Sequence, residues 1–239
     1  MILAINTSTL QFSLALIRQD DTVAGEIYLS AGKRHFGALF PSLDFLLNSL
    51  GTGKSSITGV AVALGPGSFT GLRVGLASAK GLAHALRVPI VGVSSLEALA
   101  AQVPYSSLPI TTLIESRRND VFVAQFQWSA EGQLSRISDD QCFSYESLSR
   151  CLTLPSVFIG NDYEGMSMNL KRITDSGVVL APPHLWSLRA SSVGHIGLQR
   201  LLSGQRDDPS TLVPIYLRPP DIRANPYSQA KGIKAVVKD

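Results

Sequence analysis

The sequence has 239 residues, 45% of them hydrophobic and 16% charged, a balance that excludes an intrinsically disordered chain. This length holds one large domain or two small ones. No basic leader opens the chain and no apolar run reaches signal or membrane length, so we expect a cytoplasmic protein. Cys142 and Cys151 lack CxxC spacing and accompanying histidines, which predicts reduced thiols and no zinc.

The net charge of +3 is concentrated at the end of the sequence. Residues 218–239 contain five basic and two acidic side chains, and the rest of the chain is balanced. A basic end rich in Pro, Ala and Lys is typical of a solvated, frayed terminus. Contact with RNA phosphates is the alternative, and the sequence leaves it open.

The first hundred residues predict a strand meander followed by alternating helices and strands. Alternating apolar residues indicate antiparallel strands at 2–6, 12–18 and 22–29. A helix at 35–50, kinked at Pro41, is apolar around more of its circumference than a one-sided surface helix needs. The next elements are a buried strand at 59–64, a helix at 71–86, a strand at 88–93, and a helix at 94–102 capped by Ser94.

After a linker at 104–109, a second block of strands and helices is predicted. Its strands are expected at 110–114, 121–128 and 157–160, and its helices at 144–152, 162–173 and 190–202. Two such blocks favour an α/β protein of two small domains, at 1–103 and 110–217, with a tail at 218–239. The periodicity of the last helix leaves open which domain it packs on.

A glycine-rich loop, GPGSFTG at 65–71, lies between a predicted strand and a predicted helix. Backbone amides at such a place can hold an anion. The spacing is not GxGxxG, and Leu72 and Arg73 stand where a Walker loop needs Lys and a hydroxyl. The alternative is a tight turn in which Ser68 or Thr70 caps the helix.

The helix that follows this loop has small residues at every fourth position, namely Gly71, Gly75, Ala79 and Ala83, with Gly81 nearby. A glycine inside a helix costs about 1 kcal/mol relative to alanine, so a closely approaching neighbour must offset that loss. The neighbour is either this chain's own sheet or a helix of a partner. Beside an unusually apolar first helix, the pattern favours half of a helical bundle that a partner completes.

Several segments match one known family. They are NTST at 6–9, LFP at 39–41, GPGSFTGLRVG at 65–75, KGLA at 80–83, GVSSL at 92–96, ESRRNDVF at 115–122 and PIYLR at 214–218. On these segments the chain resembles the TsaB (YeaZ) family along nearly its whole length. That family usually has Asp at the first residue of the segments that begin here at Asn6 and Glu115. The long match at 65–75 is the most specific.

The resemblance implies the fold shared by actin, sugar kinases and heat-shock ATPases (ASKHA), in which two small α/β domains, each with a mixed sheet and flanking helices, surround a cleft. It implies a non-catalytic paralogue of the enzyme TsaD. Such a subunit supports the N6-threonylcarbamoylation of the adenosine 3′ of the tRNA anticodon. TsaD and the ATPase TsaE are the implied partners, and tRNA is bound through the complex. A homodimer is implied when TsaD is absent.

Three substitutions relative to active relatives predict that the chain has no catalytic residues, metal or cofactor. TsaD proteins hold a metal through two histidines in a segment like VNHLEAH, where this chain has Ser95 and Leu99 in VSSLEAL. Kinase-like members have a Mg²⁺-binding carboxylate where this chain has Asn6. A vestigial nucleotide loop is expected at Asn6, Thr7, Ser8, Gly65, Gly67 and Ser68. The alternatives are an ASKHA-type small-molecule kinase or ATPase, and a metal-dependent, glycoprotease-like peptidase.

The expected partner-binding surface lies on the helices at 35–50 and 71–86. Its predicted residues are Phe36, Leu39, Phe40, Leu43, Leu72, Gly75, Leu76, Ala79, Leu82 and Ala83. On this hypothesis Gly75→Leu or Ala79→Leu would block pairing with TsaD and leave the monomer folded.

Overall fold

The computed structural model describes residues 1–30, 35–117, 119–173 and 177–218. The side chains of His35, Phe36, Ser149 and Ile173 lie outside this description. The basic tail predicted from the sequence also lies outside it, except for Arg218.

The first sheet has five strands in the order β3-β2-β1-β4-β5. Their bounds are β1 Ile2–Asn6, β2 Phe12–Ile17, β3 Val23–Leu29, β4 Gly59–Gly65 and β5 Ile90–Ser94. The first three strands form the predicted antiparallel meander, and β4 and β5 add to it in parallel. Strand β1 is buried along its whole length because both faces of the sheet are covered by helices.

Two helices cover one face of this sheet, α1 Leu39–Ser49 and α2 Phe69–Leu86. They share an apolar core with residues of β1 such as Leu3 and Ile5. A 3-10 turn precedes α1, so Pro41 lies in the first turn of the α-helix, where no intrahelical N–H bond is lost. The kink predicted at Pro41 is therefore not needed.

The second sheet has six strands, with β11-β10-β6-β7-β8 in order and β9 also paired to β7. Their bounds are β6 Ile110–Glu115, β7 Asp120–Trp128, β8 Leu134–Arg136, β9 Gln141–Ser144, β10 Ser156–Gly160 and β11 Val178–Leu180. The sequence analysis missed β8, β9 and β11. They have three or four residues each, too few to show a period.

The remaining helices are α3 Ser95–Ala100, α4 Leu148–Cys151, α5 Tyr163–Ile173 and α6 Ala190–Leu202. Helix α3 contacts the second sheet, whereas α6 packs across the first sheet on the face opposite α1 and α2. After α6 the chain stays with the first sheet, where the amide of Asp207 donates to the carbonyl of Ile90. The predicted boundary therefore separates the strands of the two sheets, but α6 and the segment after it contact the first. We call the two sheets with their helices the first and second lobes.

No helix in the described part of the chain is long and apolar enough to cross a membrane.

Candidate functional site: an interlobe cleft and an outer helix face

A cleft with a volume of about 430 Å³ lies between the two lobes. The first lobe lines it with the β1–β2 turn and the β4–α2 loop, and the second lobe with the end of β6 and the residue after β10. The last described residues of the chain complete its wall. The lining residues are Ser8, Thr9, Leu10, Pro66, Gly67, Ser68, Phe69, Thr70, Ile114, Glu115, Ser116, Arg117, Phe122, Asn161, Ile215, Tyr216, Leu217 and Arg218.

The side chain of Asn6 is buried and its hydrogen-bonding capacity is filled within the protein. Its Nδ2 donates to the carbonyl of Leu188 at 2.9 Å and to Ser13 Oγ at 3.4 Å. Its Oδ1 accepts from the backbone amide of Ser8 at 3.0 Å and from Ser8 Oγ at 2.7 Å. These four bonds use both donors and both acceptor positions of the amide. Asn6 therefore ties the first turn to the strands around it and is not one of the cleft-lining residues.

The glycine-rich loop is packed against the β1–β2 turn. The amide of Ser68 donates to the carbonyl of Ser8 at 2.7 Å, and a Cβ on Gly67 would lie 2.0 Å from that same carbonyl oxygen. Ser68 Oγ accepts from the amide of Gly71 at 3.3 Å and so caps α2. The Ser68 amide and hydroxyl are both used in hydrogen bonds within the protein. The geometry therefore fits a tight turn with a helix cap better than an anion-binding loop.

The glycines at the start of α2 are explained by this chain's own β1–β2 turn. A Cβ on Gly71 would lie 2.0 Å from the carbonyl oxygen of Thr7, and a Cβ on Gly75 would lie 2.1 Å from Thr7 Oγ1. Thr7 Oγ1 in turn donates to the carbonyl of Gly71 at 2.7 Å. The sequence left open whether the close neighbour of Gly75 belongs to this chain or to a partner helix. The structure shows that it belongs to this chain, so the prediction of a partner helix against Gly75 was wrong.

Most of the predicted partner-binding side chains face the first sheet. Buried in the core of this chain are Leu39, Leu43, Leu72, Leu76, Ala79 and Ala83, as is Gly75 in contact with Thr7. The apolar stripe of each helix packs on the sheet, so these residues are not accessible to a second protein. Of the remaining three, Phe40 is 56% exposed and Leu82 is half-buried, while the side chain of Phe36 lies outside the described residues.

The solvent side of α1 and α2 carries apolar and small residues that the prediction omitted. Phe45 on α1 is 64% exposed. On α2 a row of small residues at every fourth position faces solvent, and a Cβ on Gly81 would meet no atom of the described residues within 4 Å. We call this surface the outer helix face, formed by Phe40, Phe45, Ala77, Gly81, Leu82 and Ala85. Phe45 and Gly81 lie outside the main apolar or small-residue stripes of their helices, and this position in the helical period was the sequence signal that could have placed them on the solvent side.

The positions that correspond to metal ligands in TsaD are closed off in this chain. Ser95 and Leu99 are fully buried, and Leu99 belongs to the main apolar core. Among the described residues Ser95 Oγ has no hydrogen-bond partner. Within the described ranges no three His, Cys, Asp or Glu side chains are grouped closely enough to hold a metal ion.

Two titratable groups near the cleft are held in their neutral forms. Burial raises the pKa of Cys142, and the nearby Arg218 guanidinium opposes the shift only in part. Burial, reinforced by the carboxylates of Glu115 and Asp162, raises the pKa of Tyr145 far above its usual value. Neither group supplies a nucleophile or a base near neutral pH.

Comparison with known proteins identifies the family. A family model described as TsaD, tRNA N6-adenosine threonylcarbamoyltransferase, matches residues 25–157. The tRNA threonylcarbamoyladenosine biosynthesis protein TsaB of Bacillus subtilis strain 168 is 31% identical over 220 residues, which are 91% of this chain and 93% of the relative. The chain belongs to the TsaB family. TsaB of Haemophilus influenzae is 28% identical over 91% of this chain and 93% of its own.

Solved structures agree with the TsaB fold. YeaZ from Pseudomonas aeruginosa superposes with a TM-score of 0.75 at 23% identity, over 90% of this chain and 99% of that chain. Component A of the (R)-2-hydroxyglutaryl-CoA dehydratase of Acidaminococcus fermentans superposes with a TM-score of 0.52 at 9% identity, over 84% of this chain and 98% of that chain. The fold is the predicted ASKHA type.

Proposed function

We propose that this chain acts in the biosynthesis of tRNA threonylcarbamoyladenosine as a non-catalytic, cytoplasmic subunit that binds and activates TsaD. In this proposal TsaD, with TsaE, carries out the N6-threonylcarbamoylation of the adenosine 3′ of the anticodon. The relatives from Bacillus subtilis and Haemophilus influenzae are named for this pathway and align over nearly their whole length. The match to the TsaD family model fits a paralogue that pairs with the enzyme.

The state of the positions that hold catalytic or metal-binding groups in active relatives supports a non-catalytic role. Kinase-like relatives have a Mg²⁺-binding carboxylate at the position of Asn6. Here the Asn6 side-chain amide is fully hydrogen-bonded within the protein. Ser95 and Leu99, at the metal positions of TsaD, are sealed in the core. Catalysis of phosphoryl or acyl transfer relies on charges placed at the reacting atoms, and these substitutions remove such charges.

The observation that carries the pairing proposal is the outer helix face. A glycine within a helix costs about 1 kcal/mol relative to alanine, and no contact in the described part of the chain requires Gly81 to lack a side chain. Ala77, Gly81 and Ala85 lie at every fourth position, so together they form a shallow groove along α2. Phe40 and Phe45 supply exposed aromatic area on the neighbouring helix, as anchors at protein interfaces do.

A pair of helices from TsaD would fill this groove and complete a four-helix arrangement with α1 and α2. Because Phe40 and Phe45 leave aromatic area exposed on this face, a second copy of this chain would occupy it in the absence of TsaD. Light scattering of the purified chain alone would then report a dimer, and addition of TsaD would convert it to a heterodimer.

Reconstitution tests the proposed function. TsaD, TsaE, the threonylcarbamoyl-adenylate donor and an unmodified tRNA are combined with and without this chain, and the modified adenosine is quantified. We expect modification only when the chain is present. Equal modification without it contradicts the proposal.

The two enzymatic alternatives have their own outcomes. ATP turnover by the purified chain with a small acceptor would support a kinase or ATPase. Stoichiometric bound zinc or iron, found by elemental analysis, would support a metal-dependent peptidase.

A further inference from the structure

We propose that residues 215–218 form a strap that closes the mouth of the interlobe cleft and latches the two lobes together. All four residues of the strap line the cleft. The strap is reached after α6, when the chain has returned to the first lobe. It is held at one end by the first lobe and at the other by the second. This inference does not depend on the identity of any partner protein.

The first anchor of the strap is a backbone contact with β4. The amide of Ile215 donates to the carbonyl of Leu64 at 2.8 Å. The strap passes so close to the next residue that a Cβ on Gly65 would lie 2.8 Å from the carbonyl oxygen of Ile215. Gly65 also has a φ of +112°, which favours glycine. The end of β4 is therefore shaped to admit the strap.

The second anchor is an aromatic contact on the first turn of α2. The ring of Tyr216 lies 5.2 Å from the ring of Phe69. The guanidinium carbon of Arg73 lies 3.8 Å from the centre of the Phe69 ring, and Arg73 Nε donates to the Tyr216 hydroxyl at 3.0 Å. A tilted ring contact from Phe69 and a hydrogen bond from Arg73 thus converge on Tyr216 of the strap, and the cation–π contact holds these two partners together.

The third anchor is on the other lobe. The guanidinium of Arg218 forms an ion pair with the carboxylate of Asp120, the first residue of β7. Asp120 closes the β6–β7 turn, where its carbonyl accepts from the amide of Ser116 at 2.9 Å. The strap therefore begins on β4 of the first lobe and ends on a turn of the second.

The ion pair between Arg218 and Asp120 is the contact of the strap that is most easily broken. The side chains of Arg218 and Asp120 are 40% and 20% exposed, and an ion pair with this access to solvent contributes little to stability. Such a pair is also screened by salt. Releasing it removes the ion pair that ties the end of the strap to the second lobe, although Leu217 still packs against the main core. The contacts on β4 and α2 then hold the strap with less support and open more often.

Hydrogen exchange of the full chain, followed by mass spectrometry, tests the strap. The variants are Arg218→Ala and Asp120→Asn, which break the ion pair from either side. The control is Arg206→Ala, which removes an exposed arginine of the same C-terminal stretch. The amide of Ile215 reports on the first-lobe anchor, the amide of Ser116 on the second-lobe turn, and buried amides of β1 on the integrity of the fold.

We expect both variants to speed exchange at Ile215 and at Ser116 by about fivefold, with β1 and the control unchanged. In the wild-type chain, raising the ionic strength from about 0.01 M to 1 M should have the same effect, because the Debye length falls from about 30 Å to 3 Å. In Arg218→Ala this salt effect should disappear. Exchange at Ile215 that stays at the wild-type rate in both variants would overturn the proposal, because the ion pair would then be a local contact.

Discussion

Thr7 Oγ1 occupies the space that a side chain on Gly75 would need, since a Cβ built there would lie 2.1 Å away. The same hydroxyl donates to the carbonyl of Gly71 at 2.7 Å, so the first turn of the chain is bonded to the first turn of α2. This contact joins two segments 64 residues apart and explains why the helix begins with glycines. The inner row of small residues on α2 (Gly71, Gly75, Ala79 and Ala83) thus packs against this chain's own fold. The outer row (Ala77, Gly81 and Ala85) faces solvent and remains accessible to a partner.

Gly75→Ala and Gly81→Ala should change stability in opposite directions. The first substitution forces a methyl group onto a buried hydroxyl and should lower the free energy of unfolding by about 2 kcal/mol. The second adds a methyl group in open space and should raise it by up to about 1 kcal/mol. Urea unfolding measures both, at protein concentrations low enough that light scattering shows only the monomer. The account of the inner row is wrong if Gly75→Ala is as stable as the wild-type chain.

Asn6→Asp should destabilise the protein instead of creating a Mg²⁺ site. The new carboxylate would face the carbonyl of Leu188, which now accepts from the Asn6 amide, so we expect a loss of about 3 kcal/mol at neutral pH. The repulsion raises the carboxyl pKa in the folded state above its unfolded value. The loss should therefore shrink as pH falls through that raised pKa towards about 4, where the unfolded carboxyl also protonates.

The same change at an exposed residue of α1, Asn48→Asp, is the matched control and should cost less than about 1 kcal/mol. Unfolding in urea across this pH range compares the two variants. A stable Asn6→Asp protein that hydrolyses ATP with Mg²⁺ would show that the first turn is a dormant catalytic site.

Removing the exposed phenylalanines should weaken binding to TsaD without unfolding the chain. Phe40→Ala and Phe45→Ala each delete an aromatic ring that is more than half exposed in the monomer. We expect at least about a tenfold loss of affinity from one of them, as for an interface anchor. Met168→Ala, on α5 of the second lobe, removes a side chain that is 63% exposed and should bind as the wild type does. Isothermal titration with TsaD distinguishes these outcomes.

The sequence predicted the strand meander, β4, α2 and the helix at 190–202 because each has a strong period or clear end signals. It could not predict that Thr7 fills the groove at Gly75, because helical periodicity does not say which of two small-residue rows faces inward. Nor could it predict that the Asn6 amide donates to the carbonyl of Leu188, which is 182 residues away. Contacts of this kind join segments that are far apart in the sequence, and no local pattern encodes them.

The central claim, that the outer helix face binds TsaD, is tested most directly at Gly81. Gly81→Trp places a large side chain in open space and should leave the monomer as stable as the wild type. A partner helix seated over Ala77, Gly81 and Ala85 would collide with that side chain, so titration with TsaD should show no binding and reconstituted tRNA modification should be lost. Wild-type affinity for TsaD in a folded Gly81→Trp protein would contradict the account.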